Sequence, residues 1–208
     1  MEKNVKYVGL DISTSIIGVC FLDKNQDIIL LDSINLKKIK CLFEKSNFVR
    51  KRFDLYKEEY SFEENMELSI EEAFQSFSKG FSSARTLSQL NRFNGIVSYL
   101  CCEVFNIKPV YINVNTARKN LQIKINKKLN KNTKEQVFEW VKNSIDDDFP
   151  WPIKTISRGV NKGVVKFDEC CYDMSDAFVI CKALLYYDKE NSWRKILFFK
   201  QIYWYFNF

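Results

Sequence analysis

The sequence predicts an α/β protein in which a mixed sheet, an antiparallel three-stranded meander plus parallel strands, is flanked by helices. β-rich runs at residues 5–12, 16–23 and 27–34 follow one another with tight connections, as in an antiparallel meander. After them, helical and strand patterns alternate, which is the order of an α/β sheet. The chain of 208 residues is 46% hydrophobic, which suits one large domain with its own core.

The first half of the chain continues this order after the meander. Residues 37–62 mix apolar and charged positions at helical spacing without Gly or Pro, so they predict one or two helices. LSIEEAF at residues 68–74 predicts a short strand. Residues 84–105 carry an apolar stripe at helical spacing, and Ser82 or Ser83 can cap the helix that this stripe predicts.

The second half of the chain supplies one more strand and two helices. VYINV, directly after Pro109, predicts a strand, and Asn132 or Thr133 can cap the helix that follows. The acidic and proline-containing segment 146–152 predicts a solvated loop. An apolar stripe over residues 172–188 predicts the last core helix.

Positive charge is concentrated in one part of the chain, although the net charge is only +6. The segment 118–134 contains no acidic residue and carries the cations Arg118, Lys119, Lys124, Lys127, Lys128, Lys131 and Lys134. A second basic stretch, 154–166, includes Arg158 and Lys162 beside Gly159 and Gly163. Such segments attract a polyanion through phosphate contacts, and a solvated lysine-rich face is the alternative.

Cysteine usage and the N-terminal sequence bear on the cellular compartment. The chain has seven cysteines and no histidine, and no Cys spacing is typical of a structural zinc site. Free thiols suit a reducing compartment. The N-terminus lacks the features of a signal peptide, and no apolar run reaches membrane-spanning length. We expect a soluble intracellular protein without a membrane partner, in the cytoplasm of a bacterium or host cell; a nuclear location stays open.

Four carboxylates stand in apolar segments, where an ionised group is costly unless it is paired or bound to a metal ion. They are Asp11, Glu71, Asp173 and Asp176. Glu72 points to the opposite face of its strand, and the sequence prefers Glu71 over it only weakly. Asp173 and Asp176 lie three residues apart on one side of a helix, where compensation of the helix dipole is the alternative role.

Because the chain has no histidine, metal binding or acid–base chemistry must rest on these carboxylates. Oxygen-only ligands suit Mg²⁺ or Mn²⁺. Several carboxylates around two ions about 4 Å apart form the usual apparatus for phosphodiester cleavage. Together with the basic segments, they predict a nuclease.

The order of motifs resembles the RuvC-type Holliday junction resolvases, especially their phage and viral branch. The series is GLDISTSIIGV, IEEAF, a long helix, PVYINVNTARKNL, a lysine-rich stretch and YDMSDAF, over about residues 5–188. The resemblance implies a ribonuclease H-like fold, a homodimer, and paired nicking of four-way DNA junctions with Mg²⁺ or Mn²⁺. The family's catalytic, metal-binding acids match Asp11, Glu71, Asp173 and Asp176, which would hold two ions per site.

The resemblance also implies residues that contact DNA. Phe74 takes the place of the family's junction-opening aromatic residue, with Phe77 and Phe81 as rivals and a core position as the alternative. Arg118, Lys119 and Lys134 are the nearest matches to the family's basic residues. The remaining candidates for DNA binding lie in or near the same segments: Lys79, Lys124 and Lys127.

The chain also departs from the family pattern. Ser13 replaces a glycine of bacterial members, and residues 37–66 are longer than the bacterial connection, which predicts a helical insertion in a nuclease domain at residues 1–190. The aromatic tail, residues 191–208, has no counterpart. We expect it to pack on the core or at a subunit interface, with base stacking as the less favoured role.

Two other functions stay open. DxSTSxxG resembles the first phosphate loop of sugar kinases and actin-like ATPases, which would make the chain a phosphotransferase fragment, but 208 residues leave no room for their duplicated domain. The second is a non-catalytic nucleic-acid-binding module of the same fold. The presence of all four expected acids disfavours it.

Overall fold

The structure, a computed structural model, describes residues 4–73 and 84–205, with residues 188–205 as backbone only. A five-stranded sheet has the strand order β3-β2-β1-β4-β5. Its strands are β1 (Val5–Ile12), β2 (Ile16–Leu22), β3 (Ile28–Asn35), β4 (Phe62–Glu71) and β5 (Val110–Ile112). The first three pair antiparallel, while β4 is parallel to β1 and β5 is parallel to β4. This arrangement confirms the predicted mixed sheet.

Helices cover both faces of this sheet. They are α1 (Leu42–Glu59), α2 (Ala84–Phe105), α3 (Val114–Asn120), α4 (Thr133–Lys142) and α5 (Cys170–Tyr205). Alternate residues of β1 point to opposite faces. Val8 and Leu10 belong to the hydrophobic cluster beneath α1 and α2, whereas Gly9 lies against α5. The second cluster joins the sheet to α3, α4 and α5 through residues such as Val137 and Phe178.

β4 begins earlier than the sequence pattern predicts, at Phe62 rather than residue 68. Residues 62–67 read FEENME, too polar to resemble a strand, but Val5 pairs with Phe62 and Tyr7 with Glu67. Lys6 of β1 reaches acidic side chains along this stretch. Tertiary pairing therefore overrides the local pattern. The helical part of the predicted insertion at about 37–66 ends at Glu59, and its last residues belong to the sheet.

The predicted strand VYINV ends at Ile112, because Asn113 caps α3. Its side chain accepts a hydrogen bond of 3.0 Å from the backbone N–H of Asn115. The sequence analysis also missed a small antiparallel sheet of β6 (Ile153–Thr155) and β7 (Val165–Phe167). Strands of three residues are too short to show a clear alternation of apolar and polar positions.

The last helix is longer than the predicted 172–188. α5 begins at Cys170 and continues to Tyr205, so the part of the aromatic tail within the described residues extends this helix. No helix in the described part of the chain combines the length and the apolar character that membrane crossing needs.

Candidate active site

Four carboxyl groups meet at one end of the sheet. Asp11 is the residue before the last of β1, and Glu71 is the last residue of β4. These strands are parallel neighbours, so their carboxyl ends lie at the same edge. Asp173 and Asp176 come from the start of α5. The structure thus brings together all four acids that the sequence singles out, in one cavity of about 300 Å³.

Two glycines let α5 approach the sheet closely enough to place its acids there. Gly18 is the partner of Asp11 in the β1–β2 register. A Cβ atom built on Gly18 would overlap the backbone carbonyl of Asp173. A Cβ atom on Gly9 would lie 2.6 Å from the backbone nitrogen of Cys181, which is also too close. The backbone of Asp173 therefore rests on β2 beside Asp11, at a position that no residue with a side chain can occupy without moving the helix.

Two basic side chains neutralise the acids of α5. Lys134, near the start of α4, places its Nζ 3.3 Å from Oδ1 of Asp173 and 4.0 Å from Oδ2 of Asp176. Arg118, in α3, donates from Nη2 to Oδ1 of Asp176 over 3.4 Å. The Asp176 side chain is 5% exposed, whereas the Lys134 side chain is 54% exposed. Lys134 is thus a largely exposed side chain that contacts acids lying below the surface.

A capping box stabilises the start of α4, the helix that carries Lys134. Asn132 and Glu135 form a capping box, in which the Asn132 side chain accepts from the backbone N–H of Glu135 and the Glu135 side chain accepts from that of Asn132. This box satisfies two backbone donors that have no partner within the helix.

Burial and mutual repulsion raise the pKa values of the two strand acids. Desolvation, followed by the charges of Glu71, Asp176 and Asp173, holds the pKa of Asp11 well above its ordinary value. Desolvation and the charge of Asp176 raise the pKa of Glu71 to about 7, although Arg118, Lys134 and a hydrogen bond with Asp11 act in the opposite direction. Burial therefore favours the protonated form of both groups, and a hydrogen bond joins Asp11 and Glu71.

The pKa values of the two α5 acids are raised against the opposing effect of a nearby cation. Burial raises the pKa of Asp173 and of Asp176, and Lys134 lowers both. For Lys134, burial lowers the pKa, but attraction to Asp173, Asp11 and Asp176 outweighs it, so the pKa of Lys134 is raised. The cavity contains more carboxyl groups than cationic side chains that could neutralise them.

The chemistry of this donor set fits a hard divalent cation. Carboxylate oxygens are the ligands that Mg²⁺ and Mn²⁺ prefer, and repulsion among the acids would be relieved by a cation. Within the part of the chain that the structure describes, however, no three Cys, Asp or Glu side chains are arranged as ligands of one metal ion. Lys134 and Arg118 form ion pairs with the α5 acids, and these pairs occupy oxygens that would otherwise be available to a cation.

Other residues line the cavity that the sequence analysis did not assign to it. Asn94 of α2 is buried there, and its side-chain oxygen accepts a hydrogen bond of 3.4 Å from Ser98. An asparagine on the apolar stripe of a helix was the signal that could have found it. Glu72 lines the same cavity as Glu71. Glu71 forms a hydrogen bond with Asp11.

A basic groove adjoins the cavity and shares Arg118 with it. The groove has a volume of about 720 Å³ and contains three further cations predicted to bind DNA: Lys119, Lys124 and Lys127. The Nε atom of Arg118 is buried and has no hydrogen-bond partner within the described residues. A buried donor without a partner is costly, so an anion between groove and cavity would satisfy it. The aromatic candidates Phe74, Phe77 and Phe81, and Lys79, lie outside the described residues.

Comparisons with known proteins give a relationship at the level of the fold. No protein-family model matches the chain, and no curated protein matches it. Among solved structures, the chain is similar to "T. thermophilus RuvC in complex with Holliday junction substrate", with a TM-score of 0.56 and 12% identity over 88% of this chain and 94% of that chain. It is also similar to "Thermus thermophilus RuvC structure", with a TM-score of 0.53 and 13% identity over 88% and 95% of the two chains. The chain therefore has the ribonuclease H-like fold of RuvC.

Proposed function

We propose that this protein, which shares its fold with RuvC, is a structure-selective DNA endonuclease. It would resolve four-way junctions and related branched DNA by paired, metal-dependent nicks during recombination or replication. The observation that carries the proposal is the cavity in which carboxylates from β1, β4 and α5 meet beside a basic groove. A site for cutting and a surface for phosphates thus share one edge of the sheet.

The chain supplies the charge pattern that phosphodiester cleavage needs. Asp11, Glu71, Asp173 and Asp176 would hold Mg²⁺ or Mn²⁺, two ions per site, which when bound activate a water molecule and stabilise the leaving oxygen. The Nε donor of Arg118, which has no hydrogen-bond partner in the described part of the chain, would bind a phosphate oxygen that enters from the groove. Lys134 has an exposed side chain and can turn from Asp173 to the negatively charged DNA backbone.

Paired nicks require two active sites, so we propose a homodimer, with one site for each of two opposing strands. One solved RuvC structure of this fold is described as a complex with a Holliday junction substrate, which supports branched DNA as the partner. A place in the phage and viral branch of the resolvases is a further proposal that rests on the sequence motifs. An intracellular location is another, and it rests on the cysteine usage.

Metal-dependent cleavage of a synthetic four-way junction tests this function. Linear duplex, single-stranded DNA and an RNA–DNA hybrid serve as comparison substrates. Matched nicks in opposing strands of the junction, with slower cleavage of the others, are expected. Asp11→Asn should abolish cleavage and retain junction binding, whereas Asp147→Asn, in the exposed loop after α4, should cut like the wild type. Undiminished nicking by Asp11→Asn would show that the site is wrong.

The ion pairs that occupy the α5 carboxylates favour a second candidate, a nucleic-acid-binding module without catalysis. In the same experiment, tight junction binding without cleavage in Mg²⁺ or Mn²⁺ would support this candidate. Hydrolysis of ATP in the absence of DNA would instead point to a phosphotransferase.

A further inference from the structure

A hairpin between α4 and α5 carries positive charge that the candidate active site does not use. We name residues 153–167 the basic hairpin. Its strands β6 and β7 pair from Ile153 with Phe167 to Thr155 with Val165. Beyond them, the backbone N–H of Ile156 donates to the carbonyl of Val164 over 2.9 Å, which continues the hairpin into its loop.

Two glycines shape the tip of the basic hairpin. Gly159 has a φ of 84° and Gly163 a φ of 89°, a backbone conformation that residues with a side chain rarely adopt. Hydrogen bonds from Lys162 N–H to the Gly159 carbonyl and from Gly163 N–H to the Ile156 carbonyl close the loop between them. The tip is therefore a hydrogen-bonded turn with a defined backbone path.

The basic hairpin contains cations but no acid. Arg158, Lys162 and Lys166 are exposed, and within the described residues none of them forms an ion pair. Val160 at the tip is fully exposed. These three cations and Val160 are thus exposed and available to a partner.

The base of the basic hairpin is fixed next to the candidate active site. The Phe167 ring packs edge-on against Phe138 of α4 at 5.0 Å between ring centres, and Nζ of Lys142 lies 4.9 Å from the centre of the Phe167 ring. Phe138 lies one helical turn after Lys134, and Asp173, in the first turn of α5, follows Phe167 by six residues. The hairpin is thus anchored to α4 and leads into α5, two of the helices that supply charged groups to the cavity.

We propose that the basic hairpin is a second DNA contact, which binds backbone phosphates of the arm beside the cleaved strand. This inference rests on the proposed function. From Ile153 to Val160 an extended chain reaches about 20 Å, and phosphates of one strand follow each other about every 3.4 Å, so the hairpin can pass several of them. The absence of acids favours DNA over a protein partner, and an exposed apolar tip is compatible with sugar and base surfaces.

Salt-dependent binding of a four-way junction without divalent ions tests the proposal. The variant removes three charges together: Arg158→Ala, Lys162→Ala and Lys166→Ala. Each lost phosphate contact should reduce the slope of log K against log salt by about 0.9, which gives about 2.7 for the three contacts. When salt rises from 50 to 200 mM, the affinity of the wild type should therefore fall by a factor about 40 times larger than that of the variant. Fluorescence anisotropy with a labelled junction measures this slope.

The matched control removes three exposed lysines that lie away from the cavity and form no ion pair within the described residues: Lys24→Ala, Lys51→Ala and Lys108→Ala. Its slope should stay close to that of the wild type. Equal slopes in the two triple variants would overturn the proposal. In a second hairpin variant, Asn-Gly replaces residues 157–163, which shortens the loop and keeps β6 and β7. This variant loses Arg158 and Lys162 but keeps Lys166, so its slope should fall by about 1.8.

Because binding is measured without divalent ions, the result does not depend on cleavage. A wild type that never cuts junctions, together with a reduced slope in the hairpin variant, would refute the proposed function but support the DNA contact. Cleavage by the wild type, together with an unchanged slope in the hairpin variant, would support the proposed function but refute the DNA contact. A change of molecular mass in light scattering with an unchanged slope would overturn the proposal in favour of a protein contact.

Discussion

Replacing Glu71 by Gln should stabilise the protein in the absence of divalent ions. Burial and the charge of Asp176 raise the pKa of Glu71 from 4.5 to about 7. The folded protein therefore keeps a proton on this group at pH values where the unfolded chain has already released it. A glutamine of the same shape has no proton to retain, so the variant avoids this cost.

The size and the sign of the effect follow from the two pKa values. Between pH 4.5 and about 7 the folded state binds more protons than the unfolded state, so the free energy of unfolding falls as the pH rises. Each pKa unit corresponds to about 1.4 kcal/mol, which gives about 3 kcal/mol over the whole interval. The Glu71→Gln variant should therefore exceed the wild type by up to about 3 kcal/mol above pH 7 and by almost nothing below pH 4.5.

Urea denaturation at pH 4 and at pH 7.5, with a chelator present, measures this difference. A thermal melt at pH 7.5 should show the same gain as a rise in melting temperature of about 6–12 °C, given about 2–4 °C per kcal/mol for a protein of this size. Glu72→Gln is the matched control for the neighbouring carboxylate. An identical gain at both pH values, or no gain at either, would refute the reasoning, and a gain confined to Glu72→Gln would assign the site to the other glutamate.

Three further substitutions test how the site is held together. Gly18→Ala should displace α5 and lower the free energy of unfolding by about 1–3 kcal/mol through overpacking. It should reduce single-turnover cleavage at least about 100-fold with little effect on junction binding. Cleavage at the wild-type rate would contradict the close packing of the α5 backbone on Gly18. Asn132→Ala removes one half of the capping box and should cost about 1 kcal/mol in urea denaturation, with Asn132→Ser as the control that keeps the cap. Lys134→Ala should destabilise the ion-free protein at pH 7.5 by no more than about 1 kcal/mol, since this side chain is 54% exposed, and the loss should vanish once the pH is low enough to protonate Asp173.

The fold class could be predicted because the meander and the alternation that follows it are local patterns. The four acids could be found for a similar reason, since each stands among apolar neighbours. The start of β4 could not be predicted, because its polar residues 62–67 form a strand only through their pairing with β1. Nor could the contact between Arg118 and Asp176, since it depends on side chains that lie 58 positions apart in the chain.

The role of Gly18 was also beyond reach of the sequence. A glycine in an apolar strand signals a bulge or a close approach without saying of what. Only the packing of α5 onto β2 shows that the missing side chain makes room for the backbone of an acid.

Under the proposed function, Lys134 would make the affinities of this site for cations and for DNA interdependent. In the ion-free protein its ammonium group holds Asp173 and Asp176, so a divalent cation that binds there must compete with it. DNA phosphates that attract the same ammonium group take this competitor away. Reciprocity of binding free energies then requires the cation to strengthen DNA binding by the same factor by which DNA strengthens cation binding. Under the proposed function, the site would bind divalent ions weakly until DNA is bound, which would limit cleavage to the DNA-bound protein.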